Sequence, residues 1–332
     1  MFKSDRWLRK PLMYLLVLLL TAQGMAACRP GTPSSATVTN SAIPTASPTA
    51  KVAVSPTLYP TITPSTVPTG TPTPAPSHTP RPEAANTPTV TPTSLPQPTP
   101  DGTVRTLRVP ILMYHYISAP PEGADDVRRD LSLPPERFEE HLQYLVEQGY
   151  QSITLADLVI ALQTGSALPP KPIIITLDDG YRDAYTNAYP LLVKYHMKAT
   201  IFIITGLVDD NNPDYLTWAQ VAEMSSHDID IESHSVNHPD LCNRDAAYVQ
   251  HELSASKQAI EARTGRTVRF FCYPSGEYDA NVINLLPGEG YWAAVTTVQG
   301  IEQKSSNLYE LVRLRVRGYF GVEQLASALS YL

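Results

Sequence analysis

The chain has 332 residues and a formal net charge of −7, from 25 basic and 32 acidic residues. Residues 104–332 alone carry 18 basic and 29 acidic side chains, and a field of that sign disfavours nucleic acid or anionic lipid as the main ligand of this part. The length allows about two domains of average size, but the composition is too uneven for two folded ones.

Residues 1–28 have the pattern of an export signal, with a basic start and an apolar run over residues 12–20. The run is shorter than the about 20 apolar residues that span a membrane. The segment Met25-Ala26-Ala27-Cys28 resembles the bacterial lipoprotein signal, which implies lipidation of Cys28 and a domain anchored to the cell membrane. An ordinary signal peptide or an uncleaved anchor is the alternative, and every version predicts a folded domain outside the cytoplasm.

Residues 29–103 contain 18 of the 32 prolines and are otherwise dominated by Thr, Ser and Ala. Such a segment cannot bury enough apolar surface to offset its ordering entropy, so it is predicted to be a solvated tether. Residues 104–332 are long enough for one folded domain. Its two cysteines, Cys242 and Cys272, are free to pair in an oxidising compartment, but their number implies no disulfide framework.

Predicted strands and helices alternate along the folded part. Strands are predicted at 108–116, 152–153, 173–177, 200–204, 229–232, 268–273, 293–297 and 311–316. Helices are predicted at 135–148, 154–163, 184–195, 218–225, 246–263, 281–286 and 322–331, and a polar loop follows the strand at 200–204. This alternation predicts an α/β fold with a largely parallel, barrel-like sheet, in which ligands bind at the carboxyl ends of the strands.

Two groups of polar residues follow predicted buried strands. Asp178-Asp179-Gly180 comes directly after residues 173–177, and His234 and His238 follow the strand at 229–232. Taken alone, the first group fits a simple turn and the second fits surface histidines. Together, one Asp and two His make a three-ligand metal site with open positions for water and substrate.

The stretch Thr176-Leu177-Asp178-Asp179-Gly180, followed by His234-Ser235-Val236-Asn237-His238-Pro239, resembles the polysaccharide deacetylases of carbohydrate esterase family 4, the NodB-homology domain. The resemblance implies a distorted (β/α) barrel over residues 104–332. It implies that Asp179, His234 and His238 hold a divalent metal, usually Zn²⁺, although Co²⁺, Ni²⁺ or Fe²⁺ would suit these ligands. Asp178 would be the general base in removing N-acetyl groups from an N-acetylglucosamine-containing glycan, with release of acetate.

Three further residues take their roles only from this resemblance. The third matching stretch is Phe270-Phe271-Cys272-Tyr273-Pro274-Ser275-Gly276. Cys272 stands where the family has an Arg that orients the catalytic Asp. Ser275 stands at the position whose backbone N–H binds the oxyanion in the family. The late general-acid His is missing, since the last histidine is His251. Similarity to the biofilm poly-N-acetylglucosamine deacetylase branch implies His115 as the acid and Arg313 as the partner of Asp178.

Two other functions fit the same residues. A noncatalytic glycan-binding lipoprotein would explain the missing late histidine and the cysteine at position 272. A deacylase acting on O-acetyl or xylan substrates would use the same metal site. The sequence sets neither the glycan linkage nor the oligomeric state.

Overall fold

The computed structural model describes residues 96–331. The predicted signal, Cys28 and nearly all of the predicted tether lie outside the described residues. Within the described part, none of the helices has the length and apolar character needed to cross a membrane.

The centre of the fold is a closed barrel of parallel strands. The strands are β1 Thr106–Arg108, β2 Ile111–Tyr114, β3 Gln151–Ser152, β4 Pro172–Leu177, β5 Ala199–Ile203, β6 Ile229–Ser233, β7 Phe270–Cys272, β8 Ala293–Gln299, β9 Glu302–Lys304 and β10 Leu311–Arg315. The barrel order is β2-β10-β8-β7-β6-β5-β4, and β4 pairs back with β2 in the register Tyr114↔Leu177. The predicted parallel, barrel-like sheet is therefore confirmed, with β3 added on the outside of β4 and an antiparallel pair formed by β1 and β9.

Helices surround the barrel. They are α1 Asp126–Leu131, α2 Pro135–Glu147, α3 Leu155–Thr164, α4 Tyr189–Lys194, α5 Thr205–Asp209, α6 Trp218–Ser225, α7 Ala246–Thr264, α8 Ala280–Leu285 and α9 Val322–Tyr331. α3 begins with a capping box of Thr154 and Asp157 and ends at Gly165, which has a φ of 74°. A π-helical turn precedes α4, and Pro190 lies in the first turn of α4, where its missing N–H costs least.

Alternate strand residues enter two apolar cores, as the two-residue period of a strand requires. In β4, Ile173, Ile175 and Leu177 belong to the larger core beneath the helices, whereas Ile174 belongs to a second cluster inside the barrel. That second cluster includes apolar residues of α3 and the first residues of several strands. α3 therefore covers the amino-terminal end of the barrel, and the opposite end carries the predicted site residues.

Short elements differ from the prediction. The strand expected at 108–116 is divided, because β1 and β2 are separated by Val109 and Pro110, and a proline has no N–H to continue the ladder. The polar loop expected after residue 204 begins with α5, and α1 lies where no helix was predicted. A disulfide between Cys242 and Cys272 is excluded, since Cys272 is a free, buried thiol.

Candidate active site

The two adjacent aspartates point in different directions because of the turn that holds them. Asp179 has a φ of 70° and Gly180 a φ of 73°, so the chain passes through two successive left-handed residues after β4. A Cβ on Gly180 would lie 2.9 Å from the Ile203 side chain, which leaves room only for glycine. The turn thus presents Asp178 and Asp179 to two different sets of partners.

Asp179, His234 and His238 form a compact triangle of ligand atoms. One oxygen of Asp179 lies 3.2 Å from Nε2 of His234 and 3.5 Å from Nε2 of His238. Zn²⁺ with bonds of about 2.0–2.1 Å in a tetrahedron separates neighbouring ligand atoms by roughly 3.3 Å. The three atoms therefore fit one small divalent cation, and their donor types suit zinc, cobalt, nickel or iron.

His234 is held in the tautomer that a metal ligand needs. Its Nδ1 donates a hydrogen bond of 2.7 Å to the carbonyl oxygen of Cys272, the last residue of β7. With its proton fixed on Nδ1, His234 faces Asp179 through Nε2, the nitrogen that would bind a cation; when no cation is bound, a proton on Nε2 donates to Asp179 instead.

The second aspartate, Asp178, is bound by a guanidinium. Arg313 of β10 is fully buried and donates to both carboxylate oxygens of Asp178 at 2.7 Å. The same guanidinium donates to the Thr296 carbonyl oxygen and lies 3.1 Å from the Thr176 hydroxyl. Cys272 fills the remaining space, with its Sγ 3.3 Å from Arg313 and 3.5 Å from Asp178.

These contacts determine the charge of the two carboxylates. Burial raises the pKa of Asp178, but the charge and hydrogen bonds of Arg313 outweigh burial and leave the pKa below its ordinary value. Burial likewise opposes ionisation of Asp179, and the hydrogen bond from His234 together with the nearby imidazoles lowers its pKa overall. Both side chains are therefore carboxylates at neutral pH.

A second group of possible ligands overlaps the first. Asp178, His234 and Cys272 also bring ligand atoms within 4.8 Å of one another. Both oxygens of Asp178 are already engaged by Arg313, and burial raises the pKa of the Cys272 thiol, which favours the protonated, non-ligating form. The triangle of Asp179 is consequently the better metal site.

His115 follows β2 and lies near Asp178. Its Nε2 is 3.9 Å from a carboxylate oxygen of Asp178, while its Nδ1 is buried and has no hydrogen-bond partner within residues 96–331. Burial lowers the pKa of His115, and the charges of Asp178 and Asp179 oppose that effect only in part. The imidazole is mostly neutral at pH 7 when the site contains no substrate.

Ser275 differs from the other predicted site residues because it is exposed. It lies in the 3₁₀ turn Pro274–Gly276 directly after β7 and has a φ of 55°. A Cβ on Gly276 would lie 2.1 Å from the Thr297 hydroxyl oxygen, so the turn packs tightly on β8. The structure thus holds the backbone of Ser275 in a defined position at the strand ends, which is what an amide donor requires.

A stack of aromatic rings lies beside the aspartates. The rings of Tyr116 and Tyr181 are 3.5 Å apart, the guanidinium of Arg128 lies 3.0 Å from the other face of Tyr116, and Tyr215 is 5.0 Å from Tyr181. Burial raises the pKa of the Tyr181 hydroxyl, and the charge of Asp179 adds to the effect. Both faces of Tyr116 are occupied, so its ring packs in the wall of the site rather than against a sugar.

Comparison with known proteins gives a consistent result. Residues 165–293 match the family model described as polysaccharide deacetylase. The chain is 35% identical over 214 residues to Bacillus subtilis (strain 168) YxkH, a protein named as a polysaccharide deacetylase, and the match covers 64% of this chain and 73% of that one.

Two further relatives extend the comparison. The poly-beta-1,6-N-acetyl-D-glucosamine N-deacetylase of Escherichia coli (strain K12) is 31% identical over 226 residues, which cover 55% of this chain and 33% of that protein. The chain therefore spans about a third of that relative. The structure of the Streptococcus pyogenes deacetylase PplD in complex with acetate superposes with a TM-score of 0.64 at 29% identity, covering 68% of this chain and 100% of that one.

Proposed function

The chain belongs to the polysaccharide deacetylase family, and we propose that it hydrolyses N-acetyl groups of N-acetylglucosamine units in an extracellular or cell-wall glycan, releasing acetate. One observation carries the proposal. A three-ligand triangle, Asp179 with His234 and His238, lies beside a separate carboxylate, Asp178, which Arg313 keeps ionised. Metal-assisted amide hydrolysis at neutral pH uses this combination of a Lewis acid and a base.

Asp179, His234 and His238 would hold the cation, which we propose is Zn²⁺. When bound, it supplies Lewis-acid chemistry by lowering the pKa of water and polarising a carbonyl oxygen. The hydrogen bond from His234 to the Cys272 carbonyl keeps one ligand oriented, and the negative Asp179 compensates part of the positive charge.

Asp178 is proposed to accept the proton of the attacking water. Its carboxylate is buried, ionised and adjacent to the triangle, and Arg313 fixes both of its oxygens. A bidentate guanidinium limits rotation of the carboxylate, so the base is oriented before substrate binds.

His115 is proposed to protonate the leaving amine, and the backbone N–H of Ser275 to donate to the oxyanion. His115 is 3.9 Å from Asp178, on a strand end that adjoins β4 in the barrel. Because the pKa of His115 is lowered, this role requires the imidazole to gain its proton during turnover. General acids of this type contribute about 10²–10⁴-fold to rate.

The cellular setting follows from the sequence and is likewise proposed. Lipidation at Cys28 and a tether over residues 29–103 would hold the barrel outside the cytoplasm at the cell membrane. At the described end of this segment, the N–H of Asp101 donates to the Gln163 carbonyl, in the helix that covers the amino-terminal end of the barrel. The chain thus reaches the barrel opposite the strand ends that carry Asp178.

The test is acetate release from β-1,6- and β-1,4-linked N-acetylglucosamine oligomers. We expect zinc-loaded protein to release acetate, the Asp178→Asn variant to lose at least about 10²-fold in rate, and the exposed Asp210→Asn control to match the wild type. Full activity of Asp178→Asn would contradict the assignment of the base. Release from O-acetylated xylan oligomers alone would replace the proposed substrate, and no release from folded, zinc-loaded protein would favour a glycan-binding role.

A further inference from the structure

The segment that joins the two histidine ligands has a backbone shape that it would not adopt by itself. We call residues Ser235, Val236 and Asn237 the histidine loop. Ser235 has a φ of 67° and the ligand His238 a φ of 54°, and neither is glycine. Left-handed backbone is disfavoured for L-residues, so contacts from outside the loop must hold it there.

A single buried carboxylate from α7, the helix that follows the loop, supplies the most direct of these contacts. Glu252 of α7 has no exposed surface, although it lies on a helix face otherwise composed mainly of apolar residues. One of its oxygens accepts hydrogen bonds from the backbone N–H groups of Val236, at 2.9 Å, and Asn237, at 3.0 Å. The other oxygen accepts from the Asn237 side-chain amide at 2.7 Å.

Further hydrogen bonds fix the remaining polar groups of the histidine loop. The N–H groups of Thr205 and Gly206 donate to the carbonyl oxygens of Ser235 and Val236. A Cβ on Gly206 would lie 2.7 Å from the Val236 oxygen, so the two backbones approach as closely as glycine allows. The Ser235 hydroxyl accepts from the N–H of His238 at 2.9 Å. Of these partners, only Glu252 is a charged group that binds two consecutive N–H groups.

We propose that Glu252 is a positioning residue for the metal site. It binds the N–H groups of the histidine loop and thereby sets the separation of His234 and His238, whose Nε2 atoms meet at one oxygen of Asp179. Buried N–H groups without a partner are costly, so removing the carboxylate would let the loop relax and move His238 away from the triangle. Glu252 acts through the backbone and the Asn237 amide of the histidine loop and is not itself a member of the ligand triangle.

The inference rests on the metal site of the proposed function. It is tested by the zinc dissociation constant, measured on the full chain by competition with a chromogenic chelator. The absorption spectrum of the Co²⁺ form, which reports ligand geometry, is recorded in parallel. The main variant is Glu252→Leu. The matched control is Glu261→Leu on the same helix, since Glu261 also accepts a backbone N–H, that of Val268 at 3.0 Å, and pairs with Lys257.

At equal folded fraction, we expect Glu252→Leu to bind zinc about 10–100-fold more weakly than Glu261→Leu, with an altered Co²⁺ spectrum. Glu252→Gln keeps a carbonyl oxygen for both N–H groups, and the Asn237 amide can rotate to accept from the new amide. Its zinc affinity should therefore stay within about threefold of the wild type. Equal affinities and spectra for the two leucine variants would overturn the inference.

Two further outcomes separate folding from positioning. If Glu252→Leu does not fold, Glu252→Asp replaces it, because this variant keeps the charge but withdraws the carboxylate by one methylene. It should weaken zinc binding by about tenfold, and an unchanged constant would overturn the inference. A wild-type chain that binds no zinc would overturn the proposed metal site itself, whereas zinc binding that is insensitive to Glu252 would overturn only this inference.

Discussion

The buried pair of Arg313 and Asp178 gives the sharpest quantitative prediction. Both side chains are at most 3% exposed and are joined by two hydrogen bonds of 2.7 Å. In the Arg313→Met variant, Asp178 stays buried without a compensating charge, and removing one partner of a buried pair costs about 3–5 kcal/mol of unfolding free energy. Urea unfolding at pH 7, followed by circular dichroism, measures this change.

The control is Arg317→Met, which removes an arginine that is 45% exposed and paired with Asp130 at 3.0 Å. An exposed pair of this kind contributes about 0–1 kcal/mol. Adding Asp178→Asn to Arg313→Met should recover part of the lost stability, because the unpaired charge is then absent. A loss below about 1 kcal/mol for Arg313→Met, equal to that of the control, would refute the view that Arg313 neutralises Asp178.

The same pair predicts a pH dependence. The folded-state pKa of Asp178 is below its ordinary value of 3.8, so its favourable contribution is fully present above that value and is lost as the pH falls through the folded pKa. Without Arg313, burial raises the pKa instead. The acid limb of the rate profile of Arg313→Met should therefore move to higher pH, and an unmoved limb would contradict this explanation.

Three further predictions concern other parts of the barrel. Burial lowers the pKa of His141 from 6.5 to about 4, so the unfolded chain binds more protons than the folded chain between these two pH values. The free energy of unfolding should therefore fall by about 3 kcal/mol from pH 7 to pH 4. Urea unfolding measured across this pH range should show a smaller fall for the His141→Gln variant. Gly276→Ala should cost about 1–3 kcal/mol more than Gly265→Ala, because only the first places a methyl group against the Thr297 hydroxyl. His115→Ala should reduce turnover about 10²–10⁴-fold in acetate-release assays while the zinc dissociation constant stays unchanged.

Each of these has a result that would contradict it. For His141, the control is the His251→Gln variant, since His251 is exposed. An equal fall in unfolding free energy from pH 7 to pH 4 in both variants would contradict the role of His141. For the glycines, equal losses would mean that left-handed strain alone matters, since both residues have a positive φ. For His115, unchanged turnover would reject the acid role, and lost zinc binding would assign the residue to the metal site instead.

The sequence was sufficient for the features that local patterns encode. The buried run of β4 and the Asp-Asp-Gly turn are adjacent in the chain, and so are β6 and His234, so periodicity and motif together placed them at strand ends. In the absence of the structure, the family resemblance alone linked Arg313 to Asp178. They are 135 residues apart, on β10 and beside β4, and these two strands become neighbours of the same strand, β2, only when the barrel closes.

Other contacts could not be predicted from local sequence patterns. β1 and β9 have three residues each, too short for an alternating pattern, and they pair across 194 positions or more. An acidic residue on the apolar face of α7 was the single hint of Glu252, and its partners became visible only when the histidine loop was in place. Tertiary contacts of this kind depend on packing and not on local propensity.

The most direct test of the proposed metal site is metal reconstitution of stripped protein, with zinc content and acetate release from N-acetylglucosamine oligomers measured on the same samples. We predict one zinc per chain at the triangle of Asp179, His234 and His238, with acetate release rising in proportion to bound zinc and absent from the His234→Ala variant. Full acetate release from protein that contains no metal, or from His234→Ala without bound zinc, would contradict it.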